Sequence, residues 1–340
     1  MDESGTMCRA AFGVGLAGRE LDMSLLVTGS IGIDTVEAPW GKVVDALGGS
    51  SVYFSCAASF FAPVRFVGVV GEDCPADFLK PLHDNPRIDM SGLEVRPGAK
   101  TFRWHGRYHE DVNLRDTVDV ALNVLGERGP TIPAAFRDSE HVFLANTHPG
   151  LQSGLLDQLD GPKLVVADTM DLWIEGERAL LDGLVSRIDG LMLNDSEARL
   201  MTGEANVVAA GSAIVEKVGA GKGGPPGFVI VKKGEHGSLL FADGQVAAMP
   251  AWPARKVVDP TGAGDSFAGA MMGQLTACGE VTSAAIRRAM ACGTVVASIA
   301  LEDFSLSRLH ADRINTRAEV QEVLGHLPRL FRGSGLLGIE

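Results

Sequence analysis

Basic side chains are in short supply in this chain, cysteines are few, and no apolar run is long enough to cross a bilayer. Each shortage excludes something. Lys and Arg number 30 against 43 Asp and Glu, a formal charge of −13. That balance disfavours nucleic acid and anionic membrane surfaces as partners, while leaving room for one phosphorylated small ligand in a local pocket. The cysteines (Cys8, Cys56, Cys74, Cys278, Cys292) are odd in number and widely spread, with no Cys-x-x-Cys. This argues against a disulfide framework or a structural zinc site, and Cys56 and Cys292 sit in apolar runs as core thiols. A reducing, cytoplasmic setting is expected. Residues 1–22 begin acidic and are broken by glycine, which fits neither a secretory signal nor a membrane span. They are expected to be a disordered, dispensable extension, and residues 331–340 a C-terminal tail.

What is present suits a folded α/β protein: 340 residues, 46% hydrophobic and 21% charged. Short, β-branched apolar runs at residues 25–29, 64–71, 141–146, 163–168, 190–194 and 228–232 read as strands. Residues 238–241 and 256–258 read as strands too. Amphipathic stretches lie between them, among them "SSVYFSCAASFFA", "LQSGLLDQL", "ERALLDGLVSRI", "VVAAGSAIVEKV" and "SFAGAMMGQLTAC". Such alternation predicts an α/β fold with a mainly parallel central sheet covered by helices on both faces. One stretch breaks the rhythm. In "TFRWHGRYH" (101–109), Phe102, Trp104 and Tyr108 alternate with Arg103, His105, Arg107 and His109. A two-faced strand belongs in a small sheet standing off the main body, with further pieces from residues 33–46 and 116–125.

Two glycine patterns are decoys. "GVGLAG" (13–18) satisfies G-x-G-x-x-G, but it precedes the first strand instead of following one. "EKVGAGKGG" (216–224) resembles a P-loop, yet Glu216 stands at the first glycine position and Gly223 where a hydroxyl should follow Lys222. The stretch "DPTGAGDSFAGA" (259–270) behaves differently. A strand over 256–258, a turn at Pro260 and a helix from Ser266 to about Cys278 would leave the amides of Ala263, Gly264 and Asp265 at a helix start. That is an anion site. Asp265 is then either an N-cap or a catalyst, and a cap needs none of the three small residues before it.

"DPTGAGDSFAGA" closely resembles the C-terminal signature of the ribokinase, or PfkB-type, carbohydrate kinases. "GGSSVYFSCAASFFAPVRFVGVVGED" (48–73) resembles their N-terminal signature. "NDSEA" (194–198) looks like their Asn-x-x-Glu motif, and "VIVKKGEHGSLLF" (229–241) like their nucleotide-binding strand–turn–strand. The four motifs stand in order over roughly residues 24–305. The resemblance implies a ribokinase-like fold: a single kinase domain over 23–330 with a small β-sheet lid from about 33–46 and 95–125. It also implies an ATP-dependent kinase acting on a sugar-like alcohol. Asp265 would be the base on the acceptor hydroxyl, with an anion hole at Gly262, Ala263, Gly264 and Asp265. Asn194 and Glu197 would organise Mg2+ and its waters, since oxygen donors suit that cation. Lys232, Gly234 and Gly237 would lie along the nucleotide, and Gly293 in "RRAMACGTVVASIA" would close over the adenine.

By the same resemblance Asp34 would grip acceptor hydroxyls, and Gly48 and Gly49 would let the acceptor approach the backbone. The sequence departs from the ribokinase pattern at Tyr53, where that pattern has an asparagine, and at Asn146, where it has a glutamate. Ribose itself is thereby put in doubt. The Lys/Arg-Gly-Ala run that accompanies a monovalent cation in ribokinases is missing after "CGTVVAS", which leaves potassium open. A nucleoside acceptor is the alternative within the class. A non-catalytic binding member of the fold, and an NAD enzyme using "GVGLAG", are the alternatives outside it. For the lid, Phe102, Trp104 and Tyr108 are expected to pack against a second subunit in a homodimer, with Arg103 and Arg107 facing the acceptor. The opposite facing, aromatics inward and arginines in water, is the competing possibility.

Overall fold

The structure, a computed structural model, describes residues 24–224, 227–310 and 318–325. The expectations for residues 1–22 and 331–340, and the decoy at 13–18, lie outside the described residues. The chain runs β1 (Leu25–Thr28), β2 (Gly32–Ala38), β3 (Gly41–Gly48), α1 (Ser50–Ala58), β4 (Val64–Gly71), α2 (Lys80–His83), β5 (Ile88–Arg96), β6 (Phe102–Tyr108) and β7 (Arg115–Ala121). It continues through β8 (His141–Leu144), α3 (Pro149–Leu156), β9 (Leu164–Asp168), α4 (Asp171–Gly176), α5 (Arg178–Val185), β10 (Gly190–Asn194), α6 (Asp195–Thr202) and α7 (Val207–Val215). It closes with β11 (Phe228–Lys232), β12 (Ser238–Ala242), β13 (Gln245–Met249), α8 (Ala263–Cys278) and α9 (Ser283–Ala300).

Nine strands form one sheet in the order β13-β12-β11-β10-β9-β8-β1-β4-β5, parallel except for the antiparallel pairings of β11 with β12 and β12 with β13. The uninterrupted apolar runs of its central strands follow from burial on both faces. Because side chains alternate, Leu25 and Val27 join a core with α1, α8 and α9, while Leu26 joins a second core with α3, α5, α6 and α7. Ile230 and its neighbours Val229 and Val231 split the same way. Across the first core Phe54 of α1 stacks on Phe143 of β8, with ring centroids 4.4 Å apart.

The smaller sheet has the order β3-β2-β6-β7, and its β6–β7 hairpin touches Thr261 and the turn after β11. It is tied to the body at its β2–β3 hairpin. The Trp40 indole donates to the Val258 carbonyl, Ser305 Oγ donates to the Leu47 carbonyl at 2.6 Å, and the Phe304 ring covers Gly41.

Two expectations are corrected. Residues 256–258 are not a strand: the Val258 and Asp259 amides both donate to the Leu301 carbonyl, at 2.7 and 3.2 Å, so no sheet partner takes them. The edge position belongs to β13 instead, paired back on β12. Helix α8 begins at Ala263, not Ser266, which places Asp265 inside its first turn. Strands β5 and β13 were not read from the sequence because, as edge strands, they keep polar residues and lack a continuous apolar run.

Helices α8 and α1 cross at Gly269, where a Cβ would stand 2.2 Å from the Phe54 carbonyl oxygen. Backbone cannot swing aside as a side-chain tip does. Gly269→Ala is therefore expected to lower stability by about 1–3 kcal/mol, as overpacking does. Urea denaturation followed by fluorescence checks this, and an unchanged midpoint would refute the crossing.

Candidate active site

Three parallel strands end side by side at one edge of the large sheet. Strand β9 ends in Asp168, β10 in Asn194 and β11 in Lys232, with Asn194 and Lys232 in register. Ligands of open parallel sheets bind beyond such strand ends. Lys232 Nζ lies 2.9 Å from Asp168 Oδ2, and Asp168, at 4% exposure, accepts the Thr169 amide with its other oxygen. Burial opposes the Lys232 charge, but Asp168, Glu197 and Asp265 more than offset that and hold its pKa above the ordinary lysine value. Asn194 caps α6 by accepting the Glu197 amide at 2.8 Å, and Glu197 Oε2 accepts the Asn194 amide at 2.7 Å. The box orients Glu197 toward Lys232 and Asp168; burial first, then the Asp168 charge, push its carboxyl up to about 7.

The loop before α8 is shaped by Asp259, which is buried and accepts the Thr261 amide at 2.9 Å and the Ser305 amide at 3.1 Å. Gly262 then takes a left-handed conformation, φ 73°, directly over the Tyr53 ring. A side chain at Gly262 would be strained by its φ and would collide with that ring. With Gly262 as N-cap, Asp265 is the third residue of the helix and not its cap. The first-turn amides of Gly264 and Asp265 have no helical carbonyl before them. The Lys232 ammonium lies against Gly264, 3.1 Å from where a Cβ would be. Burial, then the Asp168 charge, raise the half-buried Asp265 carboxyl to about 6, while Lys232 and Arg115 oppose the rise.

From the small sheet comes Asp34, 5% exposed, with Oδ1 lacking any hydrogen-bond partner among the described residues. Gly48 makes room for it, since a Cβ there would stand 1.9 Å from Asp34 Oδ2. Burial, then Asp259 and Asp265, raise the Asp34 carboxyl to about 8. Asp34 and Trp104 are register partners on β2 and β6, so Phe102 and Trp104 share the face of Asp34. Tyr108 is buried, its hydroxyl 3.2 Å from Thr261 Oγ1. The expected facing is thereby inverted. The aromatics look inward, Tyr108 buried and Phe102 and Trp104 partly so. Arg103 pairs with Asp45 at 2.9 Å and Arg107 with Glu37 at 2.7 Å on the outer face, 47% and 52% exposed. The reason is that β6 lies parallel to β2, whose Asp34 and Val36 are buried on the inward face while Thr35 and Glu37 on the other face are only partly buried.

The other expected residues are distributed unevenly. Gly234 and Gly237 lie in the turn after Lys232, where Gly237 is also required by the Met249 carbonyl, 2.0 Å from a Cβ. Gly49 starts α1 beside the Ser30 backbone. Tyr53, at 2% exposure, supports Gly262 from below instead of facing an acceptor. Gly293 is buried against Phe267, where α9 packs on α8. Asn146 donates to Met170 Sδ at 3.1 Å and accepts the Trp173 indole N–H at 2.9 Å, which orients that ring. Sequence reasoning missed Asp168, Asp259, Thr261 and Arg115. Asp168 had a signal, because it ends an apolar run that reads as a parallel strand.

Asp168, Glu197 and Asp265 all act on one ammonium, and burial together with the Asp168 charge raises the proton affinity of Glu197 and Asp265. A divalent cation would offset that negative charge, and the donors are the hard oxygens that Mg2+ takes. Among the described residues no three acidic, His or Cys side chains converge closely enough to hold an ion alone. The fit is therefore to an ion completed by water and phosphate.

The model of the pfkB family carbohydrate kinases matches residues 162–307. A cytidine kinase of Thermococcus kodakarensis is 32% identical over 257 residues, covering 74% of this chain and 87% of that one. The chain belongs to the pfkB carbohydrate kinase family. Membership makes it a phosphotransferase with an alcohol acceptor. An inositol 3-kinase of Oryza sativa is 28% identical over 273 residues, or 75% of this pfkB chain and 63% of that one. Among solved structures, a Burkholderia thailandensis nucleoside kinase in complex with inosine superposes with TM-score 0.69 at 18% identity, covering 88% and 97% of the two chains. A Cryptococcus neoformans ribokinase in complex with ADP gives 0.70 at 20%, covering 88% and 99%. These likenesses show the ribokinase-like fold of the pfkB kinases: a large, mostly parallel sheet with helices around it and a small second sheet.

Asp34 has its folded pKa raised, so its contribution to stability is full at low pH and is lost as pH rises toward about 8. Asp34→Asn is expected to raise stability at pH 8 by at least about 1.4 kcal/mol, the value of one pKa unit. At pH 4.5 it should change little. Thermal melts at the two pH values check the sign, and equal shifts at both would refute the buried, unpartnered carboxylate.

Proposed function

We propose that this chain is an ATP-dependent kinase that transfers the γ-phosphate to a ribose hydroxyl of a nucleoside. The observation that carries the reading is Asp265 in the first turn of α8, behind the left-handed Gly262 and beside Lys232. In the reaction the acceptor oxygen forms a bond to the γ-phosphorus, and the bond from that phosphorus to the oxygen leaving with ADP breaks. The acceptor proton passes to Asp265, whose pKa near 6 lets it be ionised, yet basic enough, at neutral pH. Amides of the Gly262–Asp265 turn and the Lys232 ammonium take up charge on the moving phosphoryl. Asn194 and Glu197 would hold magnesium through water, and its charge offsets that of the phosphates.

Support for a nucleoside comes from two sides. The relative of which this chain covers 87% is a cytidine kinase. The inward lid face carries Phe102 and Trp104 beside Asp34, a flat apolar surface next to an acceptor of hydroxyl donors. A base and a ribose match that pair. Arg103 and Arg107 leave the acceptor set, because Asp45 and Glu37 hold them on the outer side.

A coupled ADP-release assay over nucleosides and free sugars tests the acceptor; turnover of sugars with none of nucleosides would overturn it. Asp265→Asn is expected to reduce kcat by about 10²–10⁴-fold while ATP affinity stays close to normal. In the same assay kcat/KM of the unmodified chain should rise through pH about 6 as Asp265 loses its proton, then level off. Near-normal kcat in Asp265→Asn removes the base from the mechanism.

A further inference from the structure

We propose that Arg115, on the edge strand of the lid, is a catalytic residue that contacts the γ-phosphate from above, opposite Lys232. The inference rests on the kinase reading and names a group that this reading does not use. Three placements carry it. First, the β6–β7 hairpin reaches both halves of the site. Tyr108 meets Thr261 of the anion loop at 3.2 Å, and at the hairpin's tip Asn113 Oδ1 lies 2.5 Å from where a Cβ on Gly234 would be, in the turn after Lys232. The lid thus spans from the acceptor base to the nucleotide turn.

Second, Arg115 is the register partner of Tyr108 and follows Asn113 by two residues, so it lies next to both anchor points. Its guanidinium stacks over the inward-facing Trp104 ring, 5.4 Å from the centroid, and interacts with the Tyr108 phenol. That stacking holds a planar fork against the Trp104 ring while the residue stays open to solvent, where a bound anion could reach it. Third, the charge is felt at the reacting centre, where it opposes the rise of the Asp265 carboxyl. Arg103 and Arg107 each have a carboxylate partner at 2.9 and 2.7 Å on the outer face. Arg115 has an aromatic ring and a phenol beside it, which leaves its donors available to an anion. A guanidinium forks onto two phosphate oxygens at once and cannot lose its proton there. Lys232 below and Arg115 above would enclose the phosphoryl between two cations as it moves toward the hydroxyl held by Asp265.

The test uses the full chain, Arg115→Ala and Arg115→Lys, with calorimetric titration of ADP and of the imido analogue of ATP. Arg115→Ala is expected to bind the imido analogue about tenfold more weakly, the size of one charged hydrogen bond, with ADP affinity unchanged. With an acceptor that the ADP-release assay identifies, its kcat should fall about 10²–10³-fold, the loss typical of one transition-state donor. The acceptor KM should move little, and added guanidinium ion should restore part of the rate. Arg115→Lys should retain part of the nucleotide discrimination. Because Arg115 is exposed, the melting temperature should not change. Equal losses for both nucleotides, or near-normal kcat without rescue, would make Arg115 a surface residue stacked on Trp104. If the unmodified chain turns over no acceptor, the proposed function fails on its own. The analogue-to-ADP affinity ratio then still decides the role of Arg115.

Discussion

Lys232 and Asp168, 2.9 Å apart at the ends of β11 and β9, form the pair on which the site depends. Both are largely buried, and a buried charge without its partner costs several kcal/mol. The pair therefore sets what can stand around it. Glu197 and Asp265 both respond to Asp168 and to Lys232, in opposite senses. The result is two carboxyls, Glu197 and Asp265, whose proton affinities are raised by burial and then by the Asp168 charge, and held in check by one ammonium. Such an arrangement suits a ligand that brings cations or accepts hydrogen bonds.

The fold supplies this arrangement through rigid elements. The strand ends fix Asp168, Asn194 and Lys232, and the start of α8 fixes Asp265. The position of α8 is in turn set by its close crossing with α1 at Gly269. Asp259 ties the anion loop to Ser305, and Ser305 ties that segment to Leu47 of the lid. The small-sheet hairpin and the loop before α8 are thus joined through two hydrogen bonds. Tyr108 makes a second connection on the other side, at Thr261.

The lid shows where a strand's periodicity stops being informative. The alternation in "TFRWHGRYH" separates the aromatic from the cationic positions, and the structure keeps that separation. Which set faces inward depends on the pairing of β6 with β2, whose Asp34 and Val36 are buried. A period of two has no sign, so either facing satisfies it. Tyr53 gives the same lesson in a helix. Its position in α1 is legible, but its contact with Gly262 joins residues more than 200 positions apart in the chain.

The sequence by itself determined the alternation of strands and helices, the parallel sheet and the small two-faced sheet. These depend on local periodicity and on burial of both faces of each central strand. It also determined that Asp265 follows three small residues at a helix start, because glycine and alanine there have a local steric meaning. The tertiary structure decided the rest. It placed Asp168 against Lys232 and made Gly262, not Asp265, the helix cap. It also turned Arg103 and Arg107 outward and set Arg115 against the Trp104 ring. Each of these depends on long-range pairing, and the energy of a charge or a ring is set by neighbours that are distant in sequence.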